Sequence, residues 1–265
     1  MDIEKDPWSV SLLAIYAGIT RRAAVEKVPA RRADHLPAAA LKQLININVT
    51  PFLADISLIP IWKIRTITWI AICFFTLGRC MDVRVLRAYQ LERIRTPEGK
   101  KAIKVCFKIS KNVNAGDQAH SVIVEKPNSS TCPVMLLETY YNRCGLIFGR
   151  EANATDRSYI FSRTAGQTLQ HPAGRVQLAS GAHPTPVSNY VQQGRELLKE
   201  AGWQHLHFTS KSPKVGGVTA AFAANISEDN VRDLGHWQSN SVVHRYRRDL
   251  LVNQTQAASA LSAHF

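Results

Sequence analysis

Along most of this chain apolar residues return every three or four positions, the spacing of helices that bury one face. From Leu36 onward PAAALKQLININ sets Leu41, Leu44 and Ile45 at that spacing. Residues 61–94, IWKIRTITWIAICFFTLGRCMDVRVLRAYQLERI, read as one long helical region interrupted near Gly78. Its most apolar part, Ile67 to Leu77, is eleven residues long, with Lys63 and Arg65 just before it. That is too short for a membrane span and suits a buried helix.

The period changes at Ile103. IKVCFKI puts Ile103, Val105, Phe107 and Ile109 on one face and Lys104, Cys106 and Lys108 on the other, as in a half-buried strand. SKNVNAGDQAH is rich in loop formers, and SVIVEK then supplies an antiparallel partner, so the spacing predicts a small hairpin with Lys111 at its tip. Helices resume with CPVMLLETYYNRCG. Residues 149–186 are mostly irregular, with one short strand expected at SYIF. TPVSNYVQQGRELLKEAGW predicts a helix with Thr185 as cap, Pro186 in the first turn and Gly202 at its end. Three short helices follow: PKVGGVTAAFAA, SEDNVRDLG with Ser227 as cap and Gly235 as stop, and NSVVHRYRRDLLV. The expected fold class is mainly α with a small antiparallel β-sheet, that is α+β.

Charge narrows the partner. Lys and Arg number 33 against 20 Asp and Glu, a net +13, which favours a polyanion through counterion release. Nucleic acid is the first candidate; the alternative is charge that only keeps the protein soluble. A 45% hydrophobic content allows a sizeable core. The five cysteines, Cys73, Cys80, Cys106, Cys132 and Cys144, show no C-x-x-C spacing, and their odd number points to reduced thiols in an intracellular protein. MDIEKDPWSVSL lacks the basic, apolar and cleavage segments of a signal peptide. His205 and His207 have no recognisable third ligand and no carboxylate cluster stands out, so neither a metal nor a cofactor is expected.

Three separated segments, with the hairpin between them, resemble one family, the tyrosine recombinases or phage-type integrases. TLGRCMDVRVLRAYQLERI resembles the family's first arginine motif, with Arg79, Asp82 and Leu86 at its positions. SKSPKVGGVTAAFAANISEDNVRDLGHW resembles its His-x-x-Arg, Gly-Gly-x-Thr-Ala and Leu-Gly-His run. In LGHWQSNSVVHRYRRD, His236 precedes Tyr246 by ten residues, close to the family's separation of histidine and nucleophile. Lys111 stands where the family keeps its β-hairpin lysine, with Lys108 as a competitor. The resemblance runs from about Arg31 to Leu251 and rests on four motifs in order.

The resemblance implies the tyrosine recombinase catalytic-domain fold and attack by a tyrosine phenol on a DNA phosphodiester to form a 3′-phosphotyrosine. Such a reaction groups these residue types for a reason: extra negative charge on the non-bridging oxygens needs fixed cationic donors, and arginine forks supply paired hydrogen bonds. A lysine can protonate the departing 5′ oxygen, and a histidine can donate to phosphate or manage the tyrosine proton. Tyr246 would be the nucleophile, Arg79 and Lys214 the phosphate clamps, Lys111 the general acid, and Lys211 and His236 supporting donors. On its own Tyr246 shares a helix face with Val242 and Leu250 and reads equally as a packed residue.

Two departures from the family pattern bear on activity. Lys211 and Lys214 stand where the family has histidine and its second arginine, and a lysine cannot form the planar two-donor fork. Residues 1–35 read as a remnant of the family's core-binding domain plus a basic linker, residues 36–252 as the catalytic domain and residues 253–265 as a C-terminal tail. The expectation is therefore a recombinase acting on double-stranded DNA in integration, excision or transposition, as a homo-oligomer (tetramer) on DNA, away from membranes. Its location would be intracellular with DNA, in the nucleus of a eukaryote or the cytoplasm of a bacterium. The alternatives are a catalytically degenerate DNA-binding protein and, more distantly, a type IB topoisomerase.

Overall fold

The chain enters through Leu36, whose backbone N–H donates to the Ser212 carbonyl at 3.0 Å, and turns at Pro37 into helix α1 (Ala38–Asn48). Its stripe of Ala40, Leu41, Leu44 and Ile45 is buried. Two 3₁₀ turns, Thr50–Phe52 and Ile56–Leu58, lead to helix α2 (Ile61–Phe75). A helix that is apolar all round must be enclosed, and every residue of α2 from Ile64 to Phe74 is buried. Fifteen residues rise only about 22 Å, so α2 is the central core helix. No helix among the described residues is long and apolar enough to cross a membrane. The computed structural model describes residues 33–107, 119–149, 158–162, 183–239 and 243. All but Ala33 belong to a compact unit that begins at Asp34.

The helical region expected over residues 61–94 breaks near Gly78 as its sequence predicts, but it does not stay helical to residue 94. Thr76 closes α2, Leu77 takes a left-handed φ of +50°, and the short helix α3 covers Cys80–Arg84. After a 3₁₀ turn at Ala88–Gln90 the chain becomes strand β1 (Leu91–Arg95). Leu91 and Ile94, three apart, look helical in sequence; what makes them a strand is pairing with β2 (Lys101–Phe107), Leu91 opposite Val105 and Ile94 opposite Ala102. Strand β3 (Ala119–Val124) pairs with the other edge of β2, Ile103 opposite Ile123. The sheet is thus three-stranded and antiparallel, order β1-β2-β3, where a two-stranded hairpin was expected. Ile103, Val105 and Phe107 face the core as their alternation predicts. The hairpin tip with Lys108 and Lys111 lies outside the described residues.

Helix α4 (Pro133–Cys144) starts with proline and ends at Gly145, whose φ of +64° makes it a left-handed cap. Its Tyr140 donates to the Ile160 carbonyl and its Tyr141 stacks on Phe148 at 3.9 Å. At SYIF there is no strand: Tyr159 and Ser162 form isolated bridges to Arg87 and Pro184. Helix α5 (Val187–Glu200) has Pro186, not Thr185, as its cap and no side-chain capping bond, because Thr185 is itself drawn inward and buried. Its Tyr190 stacks on Trp69 of α2 at 4.7 Å, and Gly202 ends the turn with φ +79°.

Helix α6 (Ser212–Ala223) packs through a glycine pair, Gly216 against the Leu36 segment before α1 and Gly217 against the end of α2. A Cβ on Gly216 would come within 2.1 Å of the Leu36 carbonyl oxygen, and one on Gly217 within 2.1 Å of the Phe74 carbonyl oxygen. Only glycine lets the two backbones approach so closely. Helix α7 (Glu228–Leu234) has the Ser227 hydroxyl accepting from Asn230 N–H, as its sequence predicts. The segment NSVVHRYRRDLLV lies outside the described residues apart from Val243. The described architecture is mainly helical around one small antiparallel sheet, the α+β class expected.

Candidate functional site

One cleft gathers residues from five separate places in the chain. Leu77, Gly78 and Arg79 come from the turn after α2, Asp82 from α3, Phe107 from the end of β2, Lys214 from the first turn of α6, and Gly235 and His236 from the end of α7. Each wall has a local cause. Thr76 Oγ1 donates to the Ile72 carbonyl at 2.6 Å and accepts from Gly78 N–H at 3.2 Å, which tightens the turn carrying Arg79. A Cβ on Gly78 would lie 2.8 Å from that same Oγ1, so the turn requires glycine. Arg79 then caps α3, whose Asp82 and Val83 N–H groups donate to the Arg79 carbonyl.

The LGHW run makes the opposite wall through a helix stop. His236 N–H donates to the Asp233 carbonyl at 3.1 Å and Trp237 N–H to the Arg232 carbonyl at 3.0 Å, the paired bonds of a Schellman ending. His236 occupies the left-handed position of that motif, with φ +52°, where glycine is usual. Gly235 just before it is needed for a different reason: its Cβ would meet the Trp237 ring at 2.6 Å. A non-glycine residue held in this region stores backbone strain, about 1–3 kcal/mol, and here the strained residue is one that lines the cleft.

Lys214 is the unusual group. It is only 5% exposed, and its Nζ lies 4.4 Å from the centroid of the Trp237 ring. Burial, and next the Arg79 guanidinium, pull its ammonium down to about 7, against the opposing pull of Asp82. An arginine at this position would stay charged. His236 is likewise held below its ordinary value, first by burial and then by His120 and Lys214, so its neutral form covers a wider pH range. Its ring meets Phe107 edge-on at 6.2 Å, and its Nε2 lies 3.1 Å from Ser121 Oγ. Arg79 and Lys214 line one cleft with Asp82 and His236, and cationic donors partly shielded from water in this way have the chemistry of an anion site.

Beside the cleft lies a small apolar cluster of Leu77, Val218, Ala221, Val231, Trp237 and Val243. Val243, fully buried there, is three residues before Tyr246 in the sequence. Beneath Arg79, the thiols of Cys73 and Cys80 are 3.8 Å apart, and Cys80 donates to the Ser210 carbonyl. All five cysteines are free thiols.

Of the six residues singled out from the sequence, Arg79, Lys214 and His236 share this cleft. Lys211 is not among its lining residues: it is exposed at the cap of α6, its N–H donating to Thr209 Oγ1 at 3.2 Å. Tyr246 and Lys111 lie outside the described residues. Sequence reasoning passed over Ser121 and the packing role of Trp237. Ser121 was detectable in principle, because it shares the inward face of β3 with Ala119 and Ile123, an odd place for a hydroxyl. No group of three metal-ligating residues occurs among the described residues.

No protein-family model and no curated protein sequence matches the chain. Solved structures do. XerH site-specific recombinase, in a post-cleavage complex with palindromic difH substrate, aligns with a TM-score of 0.56 and 13% identity over 89% of this chain and 56% of that one. XerA recombinase aligns with a TM-score of 0.52 and 14% identity over 88% and 66%. XerH in a pre-cleavage complex with difH aligns at 0.51 and 13% over 85% and 53%. The chain therefore spans between about half and two thirds of the length of these proteins. At such identities the likeness is one of fold.

Proposed function

We propose that this chain, which has the catalytic-domain fold of the tyrosine recombinases, cleaves and rejoins DNA strands through a 3′-phosphotyrosine intermediate. The observation that carries the reading is the convergence of Arg79, Lys214 and His236, far apart in sequence, on one cleft. The Tyr246 phenol gives its proton to His236 as its oxygen attacks the scissile phosphorus, the bond to the 5′ oxygen breaks, and that oxygen takes a proton from Lys111. Arg79 and Lys214 hold the non-bridging oxygens, Lys211 is a supporting donor, and of the two roles open to a histidine here, donor to phosphate or acceptor of the tyrosine proton, His236 in its neutral form takes the second. Rejoining is the reverse: a 5′ hydroxyl attacks the phosphotyrosine and the phenol leaves. Each step conserves one phosphoester bond, so neither an energy source nor a redox partner enters.

DNA is the proposed partner. The net charge of +13 favours a polyanion, and XerH, which shares the fold, is bound to its difH substrate before and after cleavage. Recombination, integration or transposition, a tetramer on DNA, and an intracellular site of action belong to the same proposal. So does the division into a basic linker to residue 35, a catalytic domain over 36–252 and a tail over 253–265.

The second reading, a DNA-binding descendant that no longer cleaves, is favoured by one observation: the charge of Lys214, the residue proposed as a phosphate clamp, is weakened near neutral pH. A nicked suicide DNA substrate separates the two. We expect a covalent adduct with the intact chain and none with Tyr246→Phe, while both bind DNA. Binding without an adduct from the intact chain establishes the second reading instead.

A further inference from the structure

The helix that ends at Leu234 leaves its last four carbonyls in need of donors. Val231 receives Gly235 N–H, Arg232 receives Trp237 N–H, and Asp233 receives His236 N–H. The Leu234 carbonyl lies 3.5 Å from Ser121 Oγ, across from strand β3. That hydroxyl, 2% exposed, also lies 3.1 Å from His236 Nε2. A serine has a single hydrogen to donate, so it cannot give one to both. If it is directed to the Leu234 carbonyl, the oxygen is an acceptor for an Nε2–H, and the imidazole is fixed in one tautomer with an unprotonated Nδ1.

We propose that Ser121 is a positioning residue for His236, holding the ring in its Nε2–H form by accepting from Nε2 while donating to the end of α7. The inward neighbours of Ser121 on β3 are Ala119 and Ile123, which have no side-chain hydrogen-bonding group, while His120 on the same strand acts on His236 through charge. The arrangement also ties β3 to the end of α7. His236 has a left-handed backbone there, and the Ser121 contact is what sets its ring direction. The catalytic consequence rests on the strand-cleavage reading above: a neutral imidazole of fixed tautomer presents the same nitrogen as acceptor in every turnover.

The test combines a spectroscopic and a functional measurement. Nitrogen-15 spectra of labelled chain, with His236→Asn used to assign its resonances, report the tautomer in the absence of DNA. Intact chain is expected to show Nε2–H, Ser121→Ala a mixture of the two tautomers, and Ser121→Thr the original form, with thermal melting confirming that each variant is folded. On nicked DNA, Ser121→Ala is expected to slow adduct formation about tenfold without changing DNA affinity, and Ser121→Thr to restore it. An Nδ1–H tautomer in the intact chain, or a tautomer unaffected by Ser121→Ala, overturns the proposal. If the tautomer responds as expected but no chain forms an adduct, the positioning role stands and the strand-cleavage reading falls.

Discussion

Arg65 and Lys214 are 6% and 5% exposed, two cations buried to the same depth in the same protein, yet their surroundings are opposite. Arg65, on α2, directs Nη1 to the Ser162 carbonyl at 3.1 Å and lies near Tyr140, Tyr190 and Cys144. Burial pushes the Tyr190 phenol and Cys144 thiol up to about 12, so these neighbours stay neutral and the arginine is a strut between α2 and the segment at 158–162. Lys214 lies on a cleft wall beside Arg79, with an aromatic face below it and a second cation pulling its charge down. A buried cation answered by a carbonyl stabilises the fold. One set between another cation and the Asp82 carboxylate has its charge weakened by the first and supported by the second, and a phosphate adds to that support.

If this contrast is right, replacing the two residues should have opposite effects. Lys214→Met is expected to slow adduct formation on nicked DNA by about 10²–10³, the scale of losing one phosphate-stabilising donor. The same variant should keep or raise stability in urea unfolding, because a desolvated charge is exchanged for an apolar chain of similar length. Reduced stability with unchanged cleavage would make Lys214 a strut like Arg65. The glycine pair that seats Lys214 comes next: Gly217→Ala should destabilise the fold by about 1–3 kcal/mol or more in the same unfolding measurement, since its Cβ meets backbone, which cannot swing away. Arg65→Met is expected to cost about 1–3 kcal/mol through the carbonyl it leaves without this donor, with DNA affinity unchanged in a binding titration.

The most diagnostic effect is in pH, where it builds up gradually, unit by unit. Lys214 titrates near 7 in the folded chain and near its ordinary 10.5 when unfolded. Below 7 both states carry the proton and the cost of the buried charge is present in full. Between 7 and 10.5 only the unfolded state holds it, so this group makes stability rise with pH across that window. Cleavage needs the protonated form, so kcat/KM should fall about tenfold per unit above 7, before DNA phosphate is bound. Lys214→Arg should keep or raise cleavage and carry it to higher pH. A profile identical in both variants would show that Lys214 does not touch the phosphate.

Much of this site could be read from the chain because its parts are local devices. The LGHW run encodes a helix stop, with Gly235 making room for Trp237 and His236 taking the left-handed position. Ser227 announces a cap, and the alternation at Ile103, Val105 and Phe107 announces a strand. Other features were hidden because their signals were ambiguous at short range. LERIR carries apolar residues three apart, a helical spacing, and became a strand only through its ladder with β2. Thr185 has the chemistry of a cap but is buried, so Pro186 takes that place.

By itself the sequence determined the helical majority, the apolar run that becomes core helix α2, a net charge that favours a polyanion, and the identity of the charged residues worth watching. Periodicity, capping and composition are properties of neighbours along a chain, and they need no tertiary contact to be legible. The tertiary structure alone decided that β1 joins the sheet, that Lys214 faces Arg79 over Trp237 while Lys211 stays exposed, and that Ser121 reaches His236 from another element. Those outcomes depend on which distant segments pack together and how much water they exclude, and burial is what turns an ordinary lysine into one that titrates near neutrality.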